Sequence, residues 1–294
     1  MSSCSGDDGL PANYQWFSNQ IAGHHPSVIK NGKREIGLLQ ISGTSECLKP
    51  KQDASRGEKE VAIYKLMSSN NDELRNYSSE ISSEFSTCEP SDVQQLRNLC
   101  PRFFGIRKLF VDGQDREFLI LEDVTANYNL PAILDLKMGR KTYDPLASRE
   151  KIDKESIKYP PQAKIGCRLL GYRIHSSDKT VKVRDKDWGK SFDENTIQNG
   201  LAEFFSARGP DSRSTVIREA LNSLKSIRQF FETQKSFQFF ASSLLFVYEA
   251  RENLPTNLRI VMIDFSHAFN SNGERDEGYL FGVENLQKFL ENLL

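Results

Sequence analysis

The chain has 294 residues, 38% hydrophobic and 27% charged, with a formal net charge of −1, the make-up of a globular protein with ample core. No apolar run reaches the ~18 residues of a membrane span, and the start "MSSCSGDDGLPANYQ" has neither the basic nor the apolar part of a signal peptide. Five cysteines, scattered and without CxxC spacing, read as free thiols of a soluble intracellular protein rather than as disulfides or metal ligands.

In chain order, residues 1–16 read as a disordered tail. "IGLLQI" (36–41) and "ECLKP" (46–50) flank "SGTS" as a hairpin. "EKEVAIYKLM" (58–67) has helical spacing. Residues 68–98 carry eight serines among Asn, Asp and Glu, which predicts a mobile loop with a short helix near "SDVQQLRNL". "EFLILEDV" (117–124) is an apolar strand that ends in acids. "LPAILDLKMG" (130–139) is strand-like too, yet it places Asp135 and Lys137 on one face, because residues two apart share a side of a strand. Taken alone, an ion pair at a sheet edge accounts for them as well as a site does.

From Lys137 to Arg173 there are ten bases and four acids, so this segment carries +6 and the remainder −7. A basic field inside an acidic protein points to a compact polyanion rather than a long nucleic acid, although a solvated face gives the same run. Read as a helix, "ASREKIDKESIKYPP" puts Lys151, Lys154 and Lys158 at i, i+3 and i+7 on one side. Glu150 and Lys154 are also an ordinary i,i+4 pair. Helical stripes follow at 193–206 (Ile197, Leu201, Phe204, Phe205) and 214–233 (Val216, Ala220, Leu224, Ile227, Phe231). Two apolar strands (242–250 and 259–269) precede a closing helix with Val283, Leu286, Phe289 and Leu293 inward.

Three charged strand ends stand out: Lys49 on the hairpin, Glu122–Asp123–Val124 leaving a strand as a hinge would, and Asp264 ending "IVMIDF". An aspartate fixed by a strand is well placed to hold a divalent cation. Singly, each is also an ordinary surface or turn residue. Their order matches kinases in which a lysine steadies phosphates, a hinge binds adenine and an aspartate holds magnesium. There is no G-x-G-x-x-G, no G-x-x-x-x-G-K-[ST] and no H-R-D, which excludes an ordinary protein kinase or P-loop enzyme.

"PAILDLKMG" resembles the P-x-x-x-D-x-K-x-G signature of the inositol polyphosphate kinase family, and "SSLLFVYE" and "MIDFSHAF" resemble its two later signatures, in the same order. "FSNQIAGHH", "LEDVT", "KTYDPLAS", "KYP" and "DEGYLFGVENL" are similar to its multikinase branch, so the likeness runs from about Phe17 onward. It implies an α+β, two-lobed kinase-like fold, with an N-lobe over 17–121, a C-lobe over 122–294, ATP at the lobe junction and a small helical substrate insertion at 146–165. The implied activity is ATP- and Mg2+-dependent phosphorylation of inositol polyphosphates, with a phosphoinositide headgroup at a membrane as a further acceptor. A trisphosphate 3-kinase, a hexakisphosphate kinase and a non-catalytic phosphoinositide-binding scaffold are the alternatives.

By the same resemblance, Glu122 and Val124 contact adenine, Asp135 the ribose, Lys49 the ATP phosphates, and Asp264 the magnesium, with Ser243 near that metal site. Lys137 faces the transferred phosphoryl and the acceptor; it and Asp264 are the expected catalytic pair. Lys151, Lys154, Lys158, Arg56, Lys186 and His267 are expected to bind the acceptor. Lys154 and Glu155 stand where some relatives have amides, which leaves acceptor preference open. Only residues 246–262 separate "SSLL" from "IDF", where many animal relatives carry an insertion with basic import signals. The expectation is therefore a monomeric cytoplasmic protein, with nuclear entry left open.

Overall fold

Pro131–Met138, the strand with the two charges, is the central strand of a five-stranded antiparallel sheet. With a neighbour on each side, Asp135 and Lys137 are not an edge ion pair. The computed structural model describes residues 10–21, 29–30, 33–34, 36–68, 84–175 and 180–294. Toward the N-terminus lie β1 (Tyr14–Trp16), the two-residue strands β2 (Ile29–Lys30) and β3 (Lys33–Arg34), β4 (Leu39–Ile41), β5 (Glu46–Pro50), the helices α1 (Ala54–Ser68) and α2 (Pro90–Asn98), and a long hairpin of β6 (Phe103–Val111) and β7 (Gln114–Glu122). Its sheet runs β1-β4-β5-β7-β6.

The rest comprises β8 (Pro131–Met138), α3 (Arg149–Lys158), α4 (Gln162–Ile165), β9 (Cys167–His175), β10 (Val181–Arg184) and α5 (Lys186–Lys190). Then come α6 (Ile197–Phe205), α7 (Arg213–Thr233), β11 (Phe237–Phe239), β12 (Ser243–Glu249), β13 (Arg259–Ile263), β14 (Ala268–Asn270) and α8 (Glu277–Glu291). The second sheet is ordered β10-β9-β8-β12-β13, and β11 pairs with β14 as a separate ribbon. Two sheets, each with its own helices, make the α+β, two-lobed arrangement.

Helices α6, α7 and α8 cover one face of the second sheet. The stripes expected for α6 and α7 are all buried, each large apolar side chain contributing about 1.5–3 kcal/mol. In α8 the inner stripe is Tyr279, Val283, Leu286 and Leu290, while Phe289 and Leu293, expected inward, are only partly buried; Asp276 caps the helix by accepting from Tyr279 N. Covering one face leaves the other for chemistry.

Two further differences from the sequence expectations concern the first lobe. Tyr14–Trp16, assigned to the tail, pairs with β4, and Tyr14 and Trp16 pack on the small core of Leu39, Leu48 and Phe118. Residues 1–9 of that tail, 22–25 of "FSNQIAGHH" and 69–83 of the expected loop lie outside the described residues. The described end of that loop is anchored to the second lobe: Ser236 Oγ donates to Asp92 Oδ2 at 2.7 Å, and Phe85 packs 6.2 Å from Phe237.

Candidate active site

The uncovered face of the second sheet is organised in cross-strand rows. Ile263, Ser243, Lys137 and Arg168 make one row across β13, β12, β8 and β9. Val261, Leu245, Asp135 and Gly171 make the next, and Arg259, Val247, Ile133 and Arg173 the third. A bulge after Asp135 keeps the second row in phase. Gly171 has φ +148 there and a Cβ would meet Arg184 O at 2.3 Å, so no side chain stands opposite Asp135. One end of the face is therefore apolar, formed by Val124, Ile133, Val247 and Val261 with Ile21, Tyr128, Leu245 and Ile263 around them. The other end is charged.

The first lobe closes over the charged end. Lys49 Nζ lies 2.5 Å from Asp264 Oδ1 and 2.6 Å from Glu60 Oε1. Burial works against the Lys49 charge, but the two carboxylates outweigh it and hold the ammonium above the ordinary lysine range. Burial likewise opposes the Asp264 charge, and Lys49 overrides it to keep that carboxyl below its usual range. Glu60, fully buried on α1, also accepts from Phe265 N at 3.2 Å and Ser266 Oγ at 3.2 Å. It thus locks α1 to the segment after β13. Asp264 sits at φ +67, a left-handed backbone that costs a non-glycine residue about 1 kcal/mol or more, held here by these contacts.

Asp135 is buried, and its Oδ1 has no hydrogen-bond partner. Burial, reinforced by the Asp264 charge, pushes its carboxyl up to about 7. Burial also lowers Lys137, with Arg168 and Lys158 adding repulsion and Asp264 working the other way. The glycine of D-x-K-x-G ends the strand: Gly139 has φ +94 and donates to Gly166 O at 2.8 Å, a turn that a β-carbon would strain.

The insertion projects beside this end. Helix α3 is capped by Ser148 and buries none of its side chains. Lys151 reaches Asp144 Oδ2 at 3.4 Å, Lys158 reaches Glu155 at 3.0 Å, and Lys154 is exposed. His267 Nδ1 lies 2.6 Å from the same Asp144 oxygen. Burial lowers the His267 pKa, Lys151 and Arg56 lower it further, and Asp144 opposes them. Lys186 is exposed at the start of α5, and among the described residues no contact joins it to this cluster.

The Glu122 carboxylate is already engaged: it accepts from the Arg259 side chain (Nη1, 2.7 Å) and from the Arg102 backbone amide (3.2 Å). Its place at the apolar end leaves only backbone groups of the hinge for a ligand, while Val124 lines that end. Ser243 Oγ is buried without a hydrogen-bond partner, one residue across from Lys137. Asp264 and Ser243 offer hard oxygen donors suited to magnesium, which takes one or two carboxylates and completes its shell with substrate phosphates and water. Among the described residues there is no cluster of three His, Cys, Asp or Glu able to hold a metal alone.

Glu60, Asp144 and Arg168 were not singled out by the sequence. Glu60 lies in the charged run "SRGEKE" with nothing to mark it. Arg168 is one of ten bases in its segment.

Residues 118–291 match the family described as inositol polyphosphate kinase. The human inositol polyphosphate multikinase is 34% identical over 260 residues, 88% of this chain and 56% of that protein. The Arabidopsis thaliana inositol polyphosphate multikinase alpha is 27% identical over 94% of both chains. The chain spans about half the length of the animal multikinases it matches, 56% of the human and 53% of the mouse protein. Among solved structures, the inositol phosphate multikinase of S. cerevisiae, crystallised with ADP and Mn2+, superimposes with a TM-score of 0.64 over 85% of this chain and 99% of its own, at 18% identity. With the family match covering more than half of its residues and the fold in agreement, the chain belongs to the inositol polyphosphate kinase family.

Proposed function

We propose that the protein transfers the γ-phosphoryl of ATP to hydroxyls of inositol polyphosphates, in a magnesium-dependent reaction that accepts trisphosphates and tetrakisphosphates. The observation that carries this reading is the single face on which an apolar slot, the Asp135–Lys137 pair and the Lys49–Asp264 contact follow one another. Adenine would lie in the slot beside Val124 against the hinge backbone, and Asp135 would take the ribose hydroxyls. Lys49 would steady the phosphates, and Asp264 with Ser243 would hold the magnesium. That ion, when bound, neutralises charge on the phosphate oxygens. Lys137 projects from the same strand as Asp135 and would bridge the transferred phosphoryl and the acceptor. Such a transfer proceeds through a loose transition state in which alignment and charge matter more than a strong base.

A lipid headgroup is the second acceptor we propose. Leu146 and Ile157 are 79% and 77% exposed on the insertion, next to its lysines. Apolar side chains among cations are suited to an anionic membrane surface.

The test is incubation with ATP and Mg2+ against a panel of inositol phosphates and phosphatidylinositol bisphosphate vesicles, with the products resolved chromatographically. Turnover of a trisphosphate and at least one tetrakisphosphate supports the multikinase reading. Phosphorylation of a trisphosphate alone at one hydroxyl favours the 3-kinase, exclusive use of hexakisphosphate the hexakisphosphate kinase, and binding without turnover the scaffold.

A further inference from the structure

Lys137 and Arg168 face each other directly across β8 and β9, and among the described residues neither has a carboxylate within ion-pair distance. Arg168 is 4% exposed, and its Nε has no hydrogen-bond partner. The acids nearest to it are otherwise engaged: Glu155 bonds Lys158 and Thr142, each at 3.0 Å, and Asp135 is the buried group already described. Like charges set opposite each other on a sheet are destabilising, and so is a buried guanidinium without an anion. A folded chain keeps such a pair where an anion from outside completes it.

The guanidinium is also held in place. Its carbon lies 5.6 Å from the ring centre of Tyr159. Tyr159 is itself 3% exposed and donates to Phe192 O at 2.8 Å. By contrast, the lysines of α3 stand on an exposed helix and end on flexible stems. Arginine binds phosphate through two parallel bonds that fix its orientation, whereas a lysine acts as a point charge.

We propose that Arg168 is the fixed clamp for one acceptor phosphate, the one next to the hydroxyl that is phosphorylated, and that the mobile lysines of α3 receive the variable phosphates. This rests on the inositol phosphate reading above. The adjacency follows from the register. Lys137 serves the reacting position, and its direct cross-strand neighbour is placed to serve the next ring position. The acceptor requirement is then one vicinal phosphate, with latitude elsewhere on the ring. An open wall of lysines alone would instead reward total charge without regard to position.

The experiment compares the full chain with Arg168→Lys and Arg168→Gln, each checked by thermal melting. Two acceptors are used: inositol 1,4,5-trisphosphate, and the bisphosphate lacking the phosphate next to the hydroxyl that the unmodified protein uses. KM is measured for acceptor and for ATP, and Kd for acceptor by calorimetry with a non-hydrolysable ATP analogue. The unmodified protein should prefer the trisphosphate by about tenfold or more, the worth of one charge-assisted pair. Arg168→Lys should lose about that factor for the trisphosphate, little for the bisphosphate, and leave the KM for ATP within about twofold; it preserves charge and so guards against a misfolded Arg168→Gln. Equal loss on both acceptors, an unchanged acceptor KM, or a rise confined to ATP overturns the clamp. If the unmodified protein binds the trisphosphate without phosphorylating it, the kinase reading fails while the Kd comparison still decides the clamp. Failure to bind it at all overturns both.

Discussion

Burial and the Asp264 charge bring the Asp135 carboxyl to about 7, whereas the same group in an unfolded chain titrates near 4. Its folded pKa lies above its unfolded one, so its contribution to stability is fully present below about pH 4 and is lost as pH rises through about 7. The buried carboxylate therefore lowers stability near neutral pH, and in the proposed complex a ribose hydroxyl donating to Oδ1 would offset this. Asp135→Asn should raise the melting temperature by several degrees at pH 8 and much less at pH 4, while turnover collapses. An equal change in melting at both pH values would refute the titration. Asp264→Asn removes a different function. It would take away the proposed magnesium ligand and weaken one of two partners of Lys49, so turnover should fall by orders of magnitude with the fold retained, as melting and activity on one preparation would establish. Near-normal turnover would sink the metal assignment. Asp135 and Lys137 drew notice because they stand inside an apolar strand, and Lys49 and Asp264 because they mark strand ends; the roles proposed for all four came from the family resemblance. Glu60 and Arg168 were not legible, because a charged run hides which of its members the fold buries.

Among the elements, strands and amphipathic helices were legible wherever periodicity was long, as in α7, whose five-residue stripe is wholly buried. The short elements depended on tertiary partners. β1 is held by β4, by the core beneath it and by Arg107 of β6, which donates to Tyr14 Oη, and the chain leaves β13 at Ile263 because Asp264 turns left-handed, six residues before the expected strand end. Helix α3 was found by its lysine spacing although it buries no side chain, and its lysines now separate into different environments. Lys154 is exposed, with no ion pair among the described residues, Lys158 bonds Glu155, and Lys151 shares Asp144 with His267. Replacing all three with Ala should raise KM for the inositol phosphate by about tenfold or more and leave that for ATP nearly unchanged. Of the single variants, Lys151→Ala should also lift the His267 pKa, because it removes a cation and leaves Asp144 behind. NMR titration of His267 would detect this, and an unmoved pKa or equal rises in both KM values would contradict the arrangement.

At the scale of the whole molecule, the boundary near Leu121 marks a change of sheet, not a seam. Tyr64 on α1 packs 5.4 Å from Phe265 and 5.5 Å from Phe103, so one aromatic group belongs to both lobes. Met262 N donates to Leu99 O at 2.7 Å, and Asp92 binds both Lys235 N and Ser236 Oγ. A single buried cluster runs from Val61 and Leu96 through Leu136 to Leu286. The sequence could not reveal this, because residues that look like two separate hydrophobic patterns meet only in space. The consequence is cooperative: the C-lobe has no complete core without α1 and α2. Heating should therefore give one transition, with calorimetric and van't Hoff enthalpies in agreement. If ATP analogue and Mg2+ bind between the lobes as proposed, they should raise that single transition as a unit, by about 2.7 kcal/mol at a hundred times Kd. Residues 122–294 expressed alone would expose the faces of Phe265, Phe237 and Met262 that Tyr64, Phe85 and the Leu99 segment now cover, and should be aggregated or molten. A cooperatively folded 122–294 fragment, or two resolved transitions of which only one responds to nucleotide, would show that the lobes are independent and that the Lys49–Asp264 contact closes a hinge rather than a core.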